Sequence, residues 1–415
     1  MRHIWNLVTG RRAAAARMSV IAVALAFAVF SNARAQEEIG ESGDRIWLQG
    51  GINFLDNDSL AMMTLRLRMQ NLMTLESFSG SDLSINDVQF LIRRVRLRLN
   101  GFVVDPRLTY LLQLGFTRGD ADFDNTQFFN VLRDAMITYR AMPNLHLGFG
   151  LAKVPGNRER VISSGEQQFV DRSIVNRTFT LDRDVGFHLY YTHTLGASSV
   201  SDPRLSLRLA LTSGEGRNPP RALKGLMTTI RLAFFPFGNF SDNGDYYVSD
   251  LSFEESPKMY IAGVFSRNEN AARTGGAIGL PLYEQRTMEN IFIDAIFKYR
   301  GFSFYGEYAR RQALEPITRD SDGNVRAVFA GEGVNLQAGY IAFPQWEISA
   351  RYSSIEPNEE SKPFAQGQTQ YTLCVTRFFN RHRVKAQGDL TYNVLRTRGG
   401  ERDMWIARFQ IELGL

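Results

Sequence analysis

From Arg94 to Asn100 the chain alternates strictly: Arg94, Arg96, Arg98 and Asn100 share one parity, and Val95, Leu97 and Leu99 share the other. Guanidinium groups stay charged and present a planar fork of donors that suits phosphate and carboxylate. The chemistry on offer is therefore anion binding without covalent change. Other reactive residue types are sparse. A single cysteine, Cys374, excludes an internal disulfide and a thiolate metal cluster. His188 and His193 are five apart, so a strand places them on opposite faces. His146 and His382 each stand alone beside an expected turn, and no serine–histidine constellation offers an activated nucleophile. No enzyme, metal or cofactor is expected.

A strand sends successive side chains to opposite faces, so Arg94, Arg96 and Arg98 line one wall while aliphatics line the other. A soluble sandwich rarely carries so purely cationic a wet face. A membrane barrel meets lipid outside and water inside, with the same alternation. The pattern recurs. Leu205, Leu207, Leu209 and Leu211 alternate with Arg204, Ser206 and Arg208, and Val384, Ala386, Leu390 and Tyr392 alternate with Lys385, Gln387 and Asp389. Strands are predicted at 60–75, 88–102, 107–117, 131–140, 145–154, 184–195, 203–212, 223–235, 257–267, 289–299, 302–312, 332–342, 345–355, 367–379, 382–396 and 402–414. The fold class is all-β: a transmembrane antiparallel barrel of about 16 strands. Tight turns at 104–106, 142–144, 299–301, 343–345 and 380–381 alternate with loops at 76–87, 119–130, 155–183, 268–288, 313–331 and 356–366, as expected for periplasmic turns and external loops. Residues 236–256 break the rule, being long where a turn is expected. Tyr139, Tyr190, Tyr191, Tyr299, Phe302, Tyr340, Phe343, Trp346, Phe378 and Phe379 gather near strand ends, as an interfacial girdle would.

Residues 1–35 read as a secretory signal. Arg2, Arg11, Arg12 and Arg17 precede an apolar run over 19–30, and Ala33-Arg34-Ala35 offers a cleavage site before Gln36. The five excess arginines behind the formal charge of +5 all lie there, leaving 43 basic and 43 acidic residues beyond it. A neutral mature chain argues against a nucleic-acid partner. Residues 36–58 are expected to form a periplasmic segment, a short hairpin or plug, and 59–415 the barrel of the bacterial outer membrane.

Sorted by parity, the inward faces give Arg66, Arg68, Arg94, Arg96 and Arg98 in the first two strands and Arg204, Arg208 and Arg231 in the seventh and eighth, with no inward acid. Elsewhere the wall is mixed: Asp294 with Lys298, Glu307 with Arg311, Glu347 with Arg351, Asp389 with Lys385. Low-dielectric walls focus the field of a cationic sector. The expectation is an anion-preferring diffusion pore; the alternatives are a weakly selective pore and a non-conducting structural or adhesive barrel. Arg93 falls on the outward parity, where a mid-membrane arginine costs about 2–4 kcal/mol; a subunit interface, a place near the rim or a bulge would each accommodate it.

Three stretches resemble the phosphate-selective porin O and P family: F-L-I-R-R-V-R-L-R-L-N-G (90–101), R-D-A-M-I-T-Y (133–139), and L-H-L-G-F-G-L-A-K-V-P-G-N-R-E-R-V-I-S-S (145–164) running on to R-D-V-G (183–186). The resemblance implies a homotrimer of sixteen-stranded barrels contacting outer-membrane lipid, a third external loop folded inward, and arginines that guide small anions such as phosphate to a central basic site. Carried over by motif, the pore arginines are Arg68 and the pair Arg93-Arg94, and the basic residues of the inward loop are Arg160 and Arg172. Specific members have a lysine where Arg160 stands, an acid near Arg133 and a dense arginine ladder further along. Here 268–288 holds only Arg273 and Arg286, so the resemblance implies the broader family rather than its phosphate-specific members.

Overall fold

Antiparallel pairing between sequence neighbours runs through the whole sheet and closes on itself. The computed structural model describes residues 45–56, 58–117, 131–196, 201–217, 225–397 and 399–415. The expected signal at 1–35 lies outside them. The strands are β1 (Arg45–Leu48), β2 (Ile52–Leu55), β3 (Ala61–Ser77), β4 (Asp87–Val103), β5 (Asp105–Gly115), β6 (Leu132–Met142), β7 (Leu145–Lys153), β8 (Arg183–Thr194), β9 (Arg204–Thr212), β10 (Met227–Phe235), β11 (Lys258–Arg273), β12 (Pro281–Tyr299), β13 (Phe302–Ala313), β14 (Ile317–Arg319), β15 (Val325–Ala327), β16 (Gly331–Phe343), β17 (Trp346–Pro357), β18 (Gly367–Asn380), β19 (Val384–Thr397) and β20 (Gly400–Gly414). Sixteen of them, β3–β13 and β16–β20, form the closed barrel. β20 closes it on β3, from Trp405 opposite Ser77 to Gly414 opposite Arg68. The other half of that β3 edge is taken by β2, the second strand of the β1–β2 hairpin. The hairpin thus covers backbone donors and acceptors that β20 leaves open, which blunts an exposed edge.

The alternation sets what each face meets. Leu232, Ile293, Ile348, Leu373 and Leu413 are exposed on the outer wall, an apolar belt of the kind that lipid covers. Their inward neighbours Arg231, Asp294, Glu347, Thr372 and Glu412 are buried within the barrel. Of the expected girdle, Tyr139, Phe302, Tyr340 and Phe343 are exposed, and Phe302 pairs with Tyr340 across β13 and β16. Phe378 does not join it: the register shifts between Phe378 and Asn380, and Phe378 is buried against His382. Tyr190 does not join it either, because it lines the lumen.

Two expected loops are partly strand. Residues 268–288 are mostly the extended ends of β11 and β12, and 313–331 contains the β14–β15 hairpin. Charged side chains such as Arg267, Glu269 and Glu289 lack the apolar alternation of a lipid-facing strand because this part of the hairpin stands in water.

Candidate functional site: the lumen and its two inward segments

The cationic wall is set by the β3–β4 register, which places Arg66 opposite Arg98, Arg68 opposite Arg96 and Gln70 opposite Arg94. The next pair is Asn71 with Ile92, so Arg93 is the extra residue of a bulge. A bulge advances the chain by one residue and flips the parity beyond it. Ile92 and Phe90 consequently face outward and exposed, while Arg93 reaches inward to Asp171 at 2.7 Å. Of the three accommodations open to Arg93, the bulge is the one present.

Residues 154–182 lie across the inside of the barrel. They contain two helical turns, Arg158–Val161 and Ile174–Phe179; the Ser173 side chain caps the second by accepting from the Asn176 N–H. Val154, Ile174, Val175, Phe179 and Leu181 pack on Ala210, Met227, Val264, Phe292, Ala309 and Ile355, all from the inner wall. This apolar patch is why the segment turns in: burying that surface is worth about 25 cal/mol per Å², and water is the alternative neighbour. Polar contacts fix the far end. Gln168 donates to Glu347 at 2.7 Å and to Ser303 at 3.1 Å, Lys385 to the Gln167 carbonyl at 2.8 Å, Arg351 to the Asp171 carbonyl at 2.8 Å, and Arg311 to the Thr178 carbonyl at 3.0 Å. Two glycines permit the approach. A Cβ on Gly165 would lie 2.2 Å from Arg68, and one on Gly339 would lie 2.2 Å from Gln168.

A second segment enters from the turn end, between β10 and β11. It carries the 3₁₀ turn Ser241–Tyr246. Phe240 and Val248 pack on Ala233, Phe235, Tyr260, Ala262, Ile296 and Tyr305, together with Ile162 of the first segment. Lys298 donates to the carbonyls of Gly244 (2.7 Å) and Ser249 (3.0 Å), and Ser249 donates to Glu347 at 2.7 Å. The two segments meet at Arg158, which is paired with Asp245 at 3.0 Å and lies 4.8 and 4.7 Å from the ring centres of Tyr246 and Tyr260. This is the role of the long stretch at 236–256. Its signal in the sequence is the inner face of the facing strands: Ala233, Phe235, Tyr260, Ala262, Ile296 and Tyr305 are aliphatic or aromatic at inward positions, where an open pore wall would be polar.

The predicted site residues divide by what they already bond. Arg68 donates to Ser163 (3.0 Å) and Ser164 (2.7 Å) and lies 3.6 Å from Glu412. Arg94 donates to Gln70, and Arg96 to Ser164 at 2.8 Å. Arg160 pairs with Asp182, which also accepts from Arg183. Arg172 donates to the carbonyls of Glu159 and Ile162, both at 2.9 Å. Arg231 is 1% exposed, paired with Asp294 at 2.6 Å and bonded to Tyr260 and the Gly156 carbonyl. It therefore anchors the inward segment instead of facing open water; its parity is inward, but the fill covers it. Arg66, Arg98 and Arg208 form no ion pair with any described residue, and Arg208 alone of the three makes a hydrogen bond, to the Tyr246 hydroxyl. Burial by itself would raise the Asp171 carboxyl, but Arg93, Arg408 and Arg94 outweigh it and hold it at about 2. Burial likewise opposes ionisation of Asp182, and Arg160, Arg183 and Arg133 overcome it, keeping it far below the usual carboxylate range. Among the described residues no group of histidine, cysteine and carboxylate side chains is assembled to hold a metal. His188 is buried and His193 exposed, on opposite faces.

Between the β3–β9 wall, the first segment and the turn end lies an open cavity of about 760 Å³. Arg66, Arg68, Arg96, Arg98, Lys153, Arg183, Arg208, Arg381 and Arg383 line it, against the acids Asp134, Glu166 and Glu412. The balanced charges of β12, β13 and β17 fall in the filled half: Asp294, Lys298, Glu307, Arg311, Glu347 and Arg351 are each no more than 3% exposed.

Residues 64–237 match the family model of phosphate-selective porin O and P, which bears out the resemblance carried by the motifs. No curated protein matches the chain. Solved structures similar in fold include the Salmonella typhi OmpF complex with daunomycin (11% identity, 86% of this chain and 99% of that chain covered, TM-score 0.54), the outer membrane channel DcaP of Acinetobacter baumannii (10%, 86% and 97%, 0.51), and an anion-selective porin from Comamonas acidovorans (11%, 86% and 100%, 0.50).

Proposed function

Starting from a β-barrel porin of the bacterial outer membrane whose residues 64–237 match the phosphate-selective porin O and P family, we propose that the channel prefers anions and passes small hydrophilic ones, phosphate among them. The observation that carries this reading is the lining of the open cavity, nine basic side chains against three acidic ones. Low-dielectric walls focus that excess on the path, and rings of arginine or lysine are a known means of anion selection. Arg66, Arg98 and Arg208 act on ions directly. Arg68, Arg93 and Arg96 contribute field while holding the first segment in place, Arg160 and Arg172 while bracing that segment from within, and Arg94 from its bond to Gln70; Arg231 serves that segment alone. Several arginines with protein partners already in place favour attraction of passing anions over one tight phosphate site. Family and fold point to a channel rather than an enzyme. A homotrimer, as the resemblance to that family implies, is part of the same reading. The test is the zero-current potential of the purified protein across a potassium chloride gradient. An anion-preferring sign supports the reading; a potential near zero selects the weakly selective pore, and absence of conductance selects the structural barrel.

A further inference from the structure

We propose that the cavity contains a site for a small aromatic carboxylate, read by Arg208 and flanked by Tyr190 and Tyr246. The proposal rests on the anion-channel reading above and narrows its solute class.

Arg208 is a half-buried, inward residue of β9. Its guanidinium lies 5.8 Å from the ring centre of Tyr190 and 5.6 Å from that of Tyr246, and it donates to the Tyr246 hydroxyl. That bond orients the fork and uses one of its five donors. No carboxylate of a described residue neutralises it. The other arginines on the cavity wall differ in one respect or another. Arg68 and Arg96 are committed to Ser163 and Ser164, and Arg183 to Asp134 at 2.9 Å. Lys153 donates to the Val161 carbonyl at 2.9 Å. Arg381 is paired with Asp242 at 2.8 Å, and no aromatic ring lies within cation–π distance of Arg66, Arg98 or Arg383 among the described residues.

The surroundings add a second line of argument. Leu111, Pro155, Val161 and Leu251 line the same cavity as the two tyrosines and Tyr247. A hydrated phosphate gains nothing from aliphatic groups and phenol faces, whereas an aromatic ring gains burial and edge or offset stacking. At about 760 Å³ the space falls within the range of sites that enclose organic ligands, which combine an apolar lining with a few placed polar groups. A carboxylate on the Arg208 fork, with its ring against Tyr190 and Tyr246, uses both halves of that lining.

The test is block of chloride current through the full-length protein in planar bilayers by benzoate, with acetate and inorganic phosphate as comparators. Benzoate is expected to block saturably at concentrations about tenfold below acetate. Tyr246→Leu, which alters the inward segment and leaves the barrel strands intact, should weaken benzoate block about threefold or more while changing acetate block less. Arg208→Gln should weaken both acids, and Arg208→Lys should fall between, because it keeps charge and loses the fork. Equal block by benzoate and acetate in an anion-preferring wild-type channel overturns this inference alone. So does benzoate block that is indifferent to both Tyr246→Leu and Arg208→Gln. A cation-preferring wild-type channel overturns the anion reading and this inference with it.

Discussion

Arg66 and Arg98 face each other across β3 and β4, line the cavity, and bond no described residue. They are therefore the pair whose loss changes the field with least change in structure. Consider Arg66→Gln with Arg98→Gln. An ion crossing the cavity passes roughly 8 Å from each charge, and in a water-filled lumen one charge at that distance is worth about 0.5 kcal/mol, so the pair is worth about 1 kcal/mol. At 0.15 M ionic strength the Debye length is about 8 Å, which cuts the effect to about 0.4 kcal/mol; at 0.01 M, with a length of about 30 Å, about 0.8 kcal/mol survives. The anion loses this amount and the cation gains it, so the difference between them doubles. The anion-to-cation permeability ratio should fall about fourfold at 0.15 M and about fifteenfold at 0.01 M. Reversal potentials in potassium chloride gradients at the two mean salt concentrations measure both. A ratio unchanged at low salt, or a change of equal size at both, would refute the electrostatic reasoning. Correct folding is checked by unchanged heat-modifiable migration, expected because both side chains meet water.

Replacing 241–252 with a short glycine–serine turn should raise single-channel conductance, since those residues occupy the lumen; an unchanged value would mean that ions never used that half. Asp245→Ala leaves the buried Arg158 guanidinium without its carboxylate, a loss of about 3–5 kcal/mol in comparable buried pairs, and should appear as faster, larger current fluctuations as the two inward segments separate. Because the Asp171 carboxyl is held at about 2, its pairing with Arg93 should persist above the ordinary aspartate value of about 3.9 and be lost as pH falls through about 2. The difference in anion preference between wild type and Asp171→Asn should therefore persist from neutral pH to about 4 and close below about 3 as that negative charge disappears; a difference that closes well above pH 4 would contradict it. On the outer wall, Ile293→Arg should cost about 2–4 kcal/mol of folding free energy in lipid, read by urea titration in vesicles.

The barrel was legible because one physical constraint acts on every strand: lipid outside and water inside impose a period of two, and the strand positions follow within a few residues. The exceptions share a cause. Where β11 and β12 extend beyond the membrane, the outer face meets water and the alternation that marks a strand is lost. The site was legible less evenly. Parity placed Arg66, Arg68, Arg94, Arg96, Arg98 and Arg208 on the lumen side, but parity cannot tell a free guanidinium from one committed to Ser164 or Asp294, because those partners lie many residues away on the inward segments. Arg93 needed the register of β3, which a single strand does not carry. The segment between β10 and β11 stood out only by its length. The apolar inner faces of β10 to β13 that receive it were present in the sequence, but a strand apolar on both faces is ambiguous until something is known to cover it.

On the proposed function, permeant anions run along the β3–β4–β9 wall and not through the filled half. Covalent modification under current tests it directly. With single cysteines introduced as Arg98→Cys on the open wall and Asn335→Cys in the filled half, an anionic methanethiosulfonate is added while conductance is recorded. Native Cys374, 2% exposed, serves as the unmodified background. Rapid loss of current and of anion preference is expected at position 98, with no response at position 335 or in the wild type. Rapid modification at 335, or none at 98, would contradict it.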